Sequence, residues 1–251
     1  MTVYLVGAGP GDPGLLTVRA AELLARADVL VHDRLIAPAT VELVPAVCTR
    51  IDVGKRSGHA AVSQDEINRL LVEHGRTGHE VVRLKGGDPY VFGRGGEEAR
   101  ALQAAGIPFE VVPGVSSAIA APAAAGIPVT MRGHAGAFTV VTGHEDPAGD
   151  TTIDWEAHAA TGATLVIMMG AGRMALIAKR LMAGGLPPDT PVTAVHWGWT
   201  ERQSAIRTRL AEVAECDLSA PSTIVVGEVA GLDLRSDPAP PLPRTGQADS
   251  R

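Results

Sequence analysis

The chain has 251 residues, 45% of them hydrophobic and 20% charged, and a formal net charge of −6. That length can bury the core of one large domain or two small ones. The acidic balance and an aromatic share of 3% argue against nucleic acid as a partner, since a duplex binder needs a basic footprint and a single-strand binder a stacking surface.

Thr2 to Val6 is a short apolar run that reads as a buried strand, and Gly7-Ala8-Gly9-Pro10-Gly11-Asp12-Pro13-Gly14 follows as a stiff loop. Leu15 to Arg26 has helical spacing in Leu16, Ala20, Leu23 and Leu24. Val29 to Val31 is a second strand ending at His32-Asp33-Arg34. After a short helical piece near Val41, Arg50 to Val53 is a third, ending at Gly54-Lys55-Arg56. Ser63-Gln64-Asp65-Glu66 is a capping box for a helix with Ile67, Leu70, Leu71 and His74 on one face.

Glu80 to Leu84, a fourth strand, runs into the densest stretch of the chain, Lys85-Gly86-Gly87-Asp88-Pro89-Tyr90-Val91-Phe92-Gly93-Arg94-Gly95-Gly96. A helix follows from about Glu97 to Ala105. Glycine lets backbone amides approach a ligand and proline stiffens the loop, at a strand end where open α/β sheets place ligands. Phe109 to Val112 is the fifth strand, closed by Pro113-Gly114 and a small-residue helix from Ser116. The strand–helix alternation implies a mostly parallel sheet.

Ala123 to Gly136 reads as a hinge. Beyond it, strands are expected at Phe138–Thr142, Thr164–Met169, Pro191–His196, Gln203–Thr208 and Thr223–Val226, with helices at Met174–Ala183 and Leu210–Cys216. The fold class is therefore α/β, with an N-terminal domain over 1–125 and a C-terminal domain over 136–235. The proline-rich polar tail, 236–251, is expected to be disordered.

No apolar run approaches the roughly 18 residues that span a bilayer, and Met1 leads into a strand without a signal-peptide pattern. Cys48 and Cys216 show no CxxC spacing. The expectation is a cytoplasmic protein with reduced thiols and no membrane partner. The eight histidines show no HExxH or paired spacing, so no metal is expected.

Two motifs admit other chemistries. Gly9 to Gly14 satisfies G-x-G-x-x-G, with Asp33 about 20 residues on, the outline of a dinucleotide site. Yet Pro10 and Pro13 remove amide donors and Asp12 puts a negative charge where pyrophosphate would lie. Pro113-Gly114-Val115-Ser116-Ser117-Ala118 has the shape of a nucleophile elbow, but Ser116 more simply caps a helix whose N-terminus holds a ligand's polar end. Asp33 and Lys55 end neighbouring strands and face the Gly86 loop, as an acid–base pair would.

Val3 to Pro13, His32-Asp33-Arg34-Leu35, Gly54-Lys55-Arg56, Arg83 to Glu98 and Gly126-Ile127-Pro128-Val129-Thr130 together resemble the uroporphyrinogen-III C-methyltransferases of the tetrapyrrole methylase superfamily, over about Thr2 to Leu232. The resemblance implies S-adenosyl-L-methionine held in a ligand cleft between two α/β domains of a homodimer, with S-adenosyl-L-homocysteine as by-product. It implies methylation of uroporphyrinogen III at C2 and then C7, through precorrin-1 to precorrin-2, the entry to cobalamin and sirohaem. It carries cofactor contacts onto Pro10, Gly86, Gly87, Asp88, Val91, Ser116, Ser117, Met169 and Gly198. Asp33 matches the proton acceptor and Lys55 the donor. His32, Met131 and Trp199 depart from the family pattern, which usually has tyrosine, histidine and a small residue there. The substrate's eight carboxylates need cations, for which Arg34, Arg56, Lys85, Arg94 and Arg132 form the pool and Arg94 and Arg132 are the preferred anchors.

Overall fold

A computed structural model describes residues 2–54, 62–147, 149 and 151–235. Strand β1, Val3–Gly7, is buried along its whole length because it lies inside a parallel sheet covered on both faces. Its side chains alternate: Tyr4 and Val6 join one apolar cluster, Val3 and Leu5 the other. The remaining strands are β2 (Val29–His32), β3 (Thr49–Asp52), β4 (Val81–Lys85) and β5 (Phe109–Val112), in the order β3-β2-β4-β1-β5, every pair parallel. Helix α1 (Val18–Leu24) supplies Leu23 and Leu24 to the first cluster, along with the short α2 (Pro38–Val41). Helices α3 (Gln64–Arg76) and α4 (Gly95–Ala104) supply Ile67, Leu71 and Leu102 to the other.

From β1 the chain crosses to β2 on one side, and from β4 it crosses to β5 on the other. The carboxyl ends of the adjacent strands β1 and β4 are thus the switch point at which a ligand crevice opens. The loops that begin there are the two glycine-rich stretches.

The second sheet has the order β6-β7-β10-β8-β9 from β6 (Phe138–Thr142), β7 (Thr164–Met168), β8 (Pro191–His196), β9 (Ser204–Arg209) and β10 (Ser222–Val226). Only β6 and β7 pair in parallel; β10 runs antiparallel to β7 and β8, so β6, β7 and β8 still end on one edge. One face is covered by α6 (Trp155–Ala159) and α7 (Met174–Ala183), where Trp155, Ile177 and Leu181 are fully buried. The other is covered by α5 (Ser117–Ala124), whose Ala121 packs with Val195 and Val225. So α5 leaves the first sheet at its N-terminus and lies on the second, joining the two.

Local chemistry explains where the elements depart from expectation. Asp12 Oδ1 accepts from Gly14 N (2.7 Å) and opens a 3-10 turn, Pro13–Leu15, so α1 starts only at Val18, capped by Thr17. Ser63 caps α3 as expected, but the Glu66 carboxylate turns to Arg69, so only half of the capping box forms. The expected helix over Leu210–Cys216 is a 3-10 turn at Val213–Glu215. Helix α6, not anticipated, is capped by Asp154 and anchored by Trp155.

Candidate functional site

The first loop is bound to the central one by a two-way backbone bridge, Gly9 N to Gly87 O (3.2 Å) and Gly87 N to Gly9 O (2.8 Å). Behind it the backbone of three strand ends is packed without room for a side chain: a Cβ on Gly114 would lie 2.3 Å from Gly87 O and 2.7 Å from Gly7 Cα. Gly87 has φ 66°, a conformation that glycine reaches without strain, and a Cβ there would touch Ser116 and Ser117 at 3.7 Å. Ser116 Oγ caps α5 by accepting from Ala118 N (3.2 Å), as the sequence suggested. Further along α5, Ala121 meets Gly198, and Gly198-Trp199-Thr200 return to Gly11, whose added Cβ would lie 2.7 Å from Thr200 Cγ2. The sequence-predicted residues Pro10, Gly87, Ser116, Ser117 and Gly198 therefore lie on one closed ring of contacts that joins both sheets.

Gly86 sits on this ring but faces open space: nothing lies within 4 Å of where its Cβ would be. Val91 is half-buried in the same loop. Met169 directly follows β7 and is 50% exposed. Asp88 has a structural task, since Oδ1 accepts from Tyr90 N (2.8 Å) and Oδ2 from Gly114 N (3.1 Å), clamping the central loop to the turn after β5. Its carboxylate is engaged by these two amides.

Backbone strain concentrates in the same region. Among the described residues, the non-glycines with positive φ are Phe92, Arg94, Met169, Trp197 and Trp199, all in the loops that follow β4, β7 and β8. Side chains rarely tolerate that conformation, and strain of this kind gathers at ligand sites. Trp199, the bulky departure from the family pattern, directs its indole Nε1 to Ala120 O (2.6 Å) and so staples α5 to the loop after β8. His32, another departure, is half-buried with Nδ1 3.1 Å from Asp33 O.

Asp33 directly follows β2, its amide bonded to Leu84 O (3.3 Å) and its Oδ1 accepting from Arg83 Nη2 (2.6 Å). Lys55, its expected partner, lies outside the described residues, as does Arg56. Lys85 cannot serve as a substrate anchor: it is 2% exposed, with Nζ 2.8 Å from Glu98 Oε1. Burial, with the Arg83 charge adding to it, pushes its ammonium below the usual lysine range. Arg94 is exposed and donates twice to Glu97 (2.8 and 2.7 Å), while Arg132 is exposed in the turn closed by the Met131–Ala135 bridge. The sequence reading missed the role of Arg83 and Glu98. The signal was there in two cations two residues apart on a buried strand, hence on one face of it, with an acid on the helix packed beside them.

Glycine-rich loops joined at a switch point, strained turns beyond the strand ends and a carboxylate just after β2 are the marks of a small-molecule α/β enzyme built on two sheets. The profile of the Tetrapyrrole (Corrin/Porphyrin) Methylases matches residues 2–214, and the chain belongs to that family. It is 49% identical over 235 residues to the S-adenosyl-L-methionine-dependent uroporphyrinogen III methyltransferase of Methanosarcina barkeri, covering 92% of each chain. It is 48% identical over 235 residues to the siroheme synthase of Edwardsiella ictaluri, covering 93% of this chain and 50% of that one, so it spans about half the length of such relatives. Among solved structures, uroporphyrin-III C-methyl transferase from Thermus thermophilus, complexed with S-adenyl homocysteine, superposes with a TM-score of 0.79 at 42% identity, covering 92% of this chain and 94% of that one. Among the described residues, no helix is long and apolar enough to cross a membrane.

Proposed function

We propose that the chain methylates uroporphyrinogen III at C2 and C7, forming precorrin-2 through precorrin-1, with S-adenosyl-L-methionine as methyl donor. The near-full-length likeness to the Methanosarcina barkeri methyltransferase carries this reading. The site fits the donor. Gly86 leaves open space at the crevice, Ser116 and Ser117 offer hydroxyls at the start of α5, and Met169 presents an apolar, polarizable surface. Pro10, Gly86, Gly87, Val91, Ser116, Ser117, Met169 and Gly198 would hold it, with Asp88 shaping the loop.

The bound donor supplies a sulfonium methyl that an electron-rich pyrrole carbon attacks. The protein's share of the barrier is alignment, which can contribute on the order of 7 kcal/mol. Asp33 would take the proton that the methylated ring must lose; its Oδ1 is held by Arg83, which supports that role. Lys55 is the proposed proton donor. Arg132 and Arg94 are the proposed carboxylate anchors; the Arg94–Glu97 pair would open or share its guanidinium when substrate docks. The same reading takes the protein as a cytoplasmic homodimer without nucleic-acid or membrane partners, which sedimentation velocity would check.

Anaerobic incubation with uroporphyrinogen III and the donor tests the proposal. It expects the precorrin-2 chromophore and two equivalents of S-adenosyl-L-homocysteine per tetrapyrrole, with calorimetric binding of that by-product and none of NAD. Turnover of the donor without a methylated tetrapyrrole would overturn it.

A further inference from the structure

Arg83, Lys85 and Glu98 form a charge network sealed from water, with side-chain exposures of 2%, 3% and 0%. Glu98 Oε1 accepts from Arg83 Nε (3.0 Å), Lys85 Nζ (2.8 Å) and, at 3.4 Å, Gln64 Nε2, while its Oε2 has no partner among the described residues. The guanidinium is held on every side: Nε by Glu98, Nη1 by Leu84 O (3.3 Å) and Nη2 by Asp33 Oδ1 (2.6 Å). Of these partners only Asp33 is open to solvent, at 35% exposure. Its Oδ2 accepts from none of the described residues.

A buried ion network is a poor device for stability, because desolvation offsets the attraction and apolar residues would pack as well. A planar fork that cannot rotate is a good device for fixing the plane of a carboxylate. We propose that Arg83, oriented by Glu98, is a positioning residue that turns Asp33 so that Oδ2 faces the proton the ring loses once methylated. This rests on the reading of Asp33 as proton acceptor.

A double-mutant cycle tests it with full-length protein, measuring kcat and KM for uroporphyrinogen III and the Kd of S-adenosyl-L-homocysteine. Asp33→Asn should lower kcat by about 100-fold or more. Arg83→Met, which leaves the Lys85–Glu98 pair in place, should lower kcat by roughly 100-fold, as a misplaced catalytic group does, with KM and Kd within about threefold. In the Asp33→Asn background the same change should lower kcat less than about threefold further, since the group it positions is already lost. Arg83→Lys, a gentler change should the methionine variant not fold, offers no fork and should lose at least about tenfold in kcat with Kd unchanged. Additive losses in the cycle, or a fall in ligand affinity matching the fall in kcat, would overturn the inference and leave the Asp33 reading intact. An Asp33→Asn enzyme with normal kcat would overturn both.

Discussion

Gly86→Ala separates what the crevice does for the protein from what it does for a ligand. The new methyl would meet nothing within 4 Å, and Gly86 lies outside the positive-φ region, so the folded backbone accepts alanine without strain. Stability should stay level or rise by about 0.4–1 kcal/mol, because alanine narrows the unfolded ensemble. If the donor's surface rests on that backbone, the methyl occupies its place. Overpacking of this size costs about 1–3 kcal/mol, which is roughly a 5- to 150-fold loss of affinity. Urea denaturation and calorimetry with S-adenosyl-L-homocysteine would read the two quantities on the same preparation. Unchanged affinity in a normally folded Gly86→Ala protein would refute the placement of the donor at this loop. Gly114→Ala is the counterpart: its Cβ would fall 2.3 Å from Gly87 O, so stability and ligand affinity should drop together.

Arg132→Ala should raise the KM for uroporphyrinogen III more than that for the methyl donor; equal KM values for substrate before and after would remove Arg132 from the site. Trp155→Ala should cost about 3–5 kcal/mol by urea denaturation, since the indole is wholly buried against α7 and the second sheet. Trp155→Phe should lose much less, because it keeps most of the ring and deletes an Nε1 donor that has no partner among the described residues. Hydrogen bonds from Arg19, Arg94 and Arg180 hold Glu110, Glu97 and Glu156 below the ordinary carboxylate value of 4.5. Their folded-state pKa values lie below the unfolded ones, so their contribution is complete above about pH 4.5 and disappears as pH falls through the folded values. Denaturation midpoints measured across that range should decline toward acid, and more shallowly in high salt; a midpoint that rises toward acid would contradict the assignment.

Much of the fold was legible because buried strands announce themselves. All ten strands fall within a residue or two of where apolar runs and turn residues placed them, and α7 spans Met174–Ala183 as its periodicity required. Ser63 and Ser116 cap the helices they precede, since a hydroxyl next to a free amide is a local matter. Legibility failed where a residue's partner comes from elsewhere in the chain. Asp88 reads as a ligand contact, and nothing near it in the chain announces that the Gly114 amide reaches across to its carboxylate. Lys85 stands in the pool of candidate cations by sequence, and only the α4 carboxylate of Glu98 shows that it is spoken for.

The amino-acid order by itself determined which segments are strands, where glycine and proline make stiff turns, and that a carboxylate stands at the end of β2. These follow from hydrophobic period and backbone sterics, which act over a few residues. Only the tertiary structure decided that α5 bridges the sheets, that Gly11 meets Thr200, and that Asp33 is held by Arg83 from fifty positions away. Such pairings depend on strand order and helix docking, and a buried charge finds its partner only once the sheet has brought the two together.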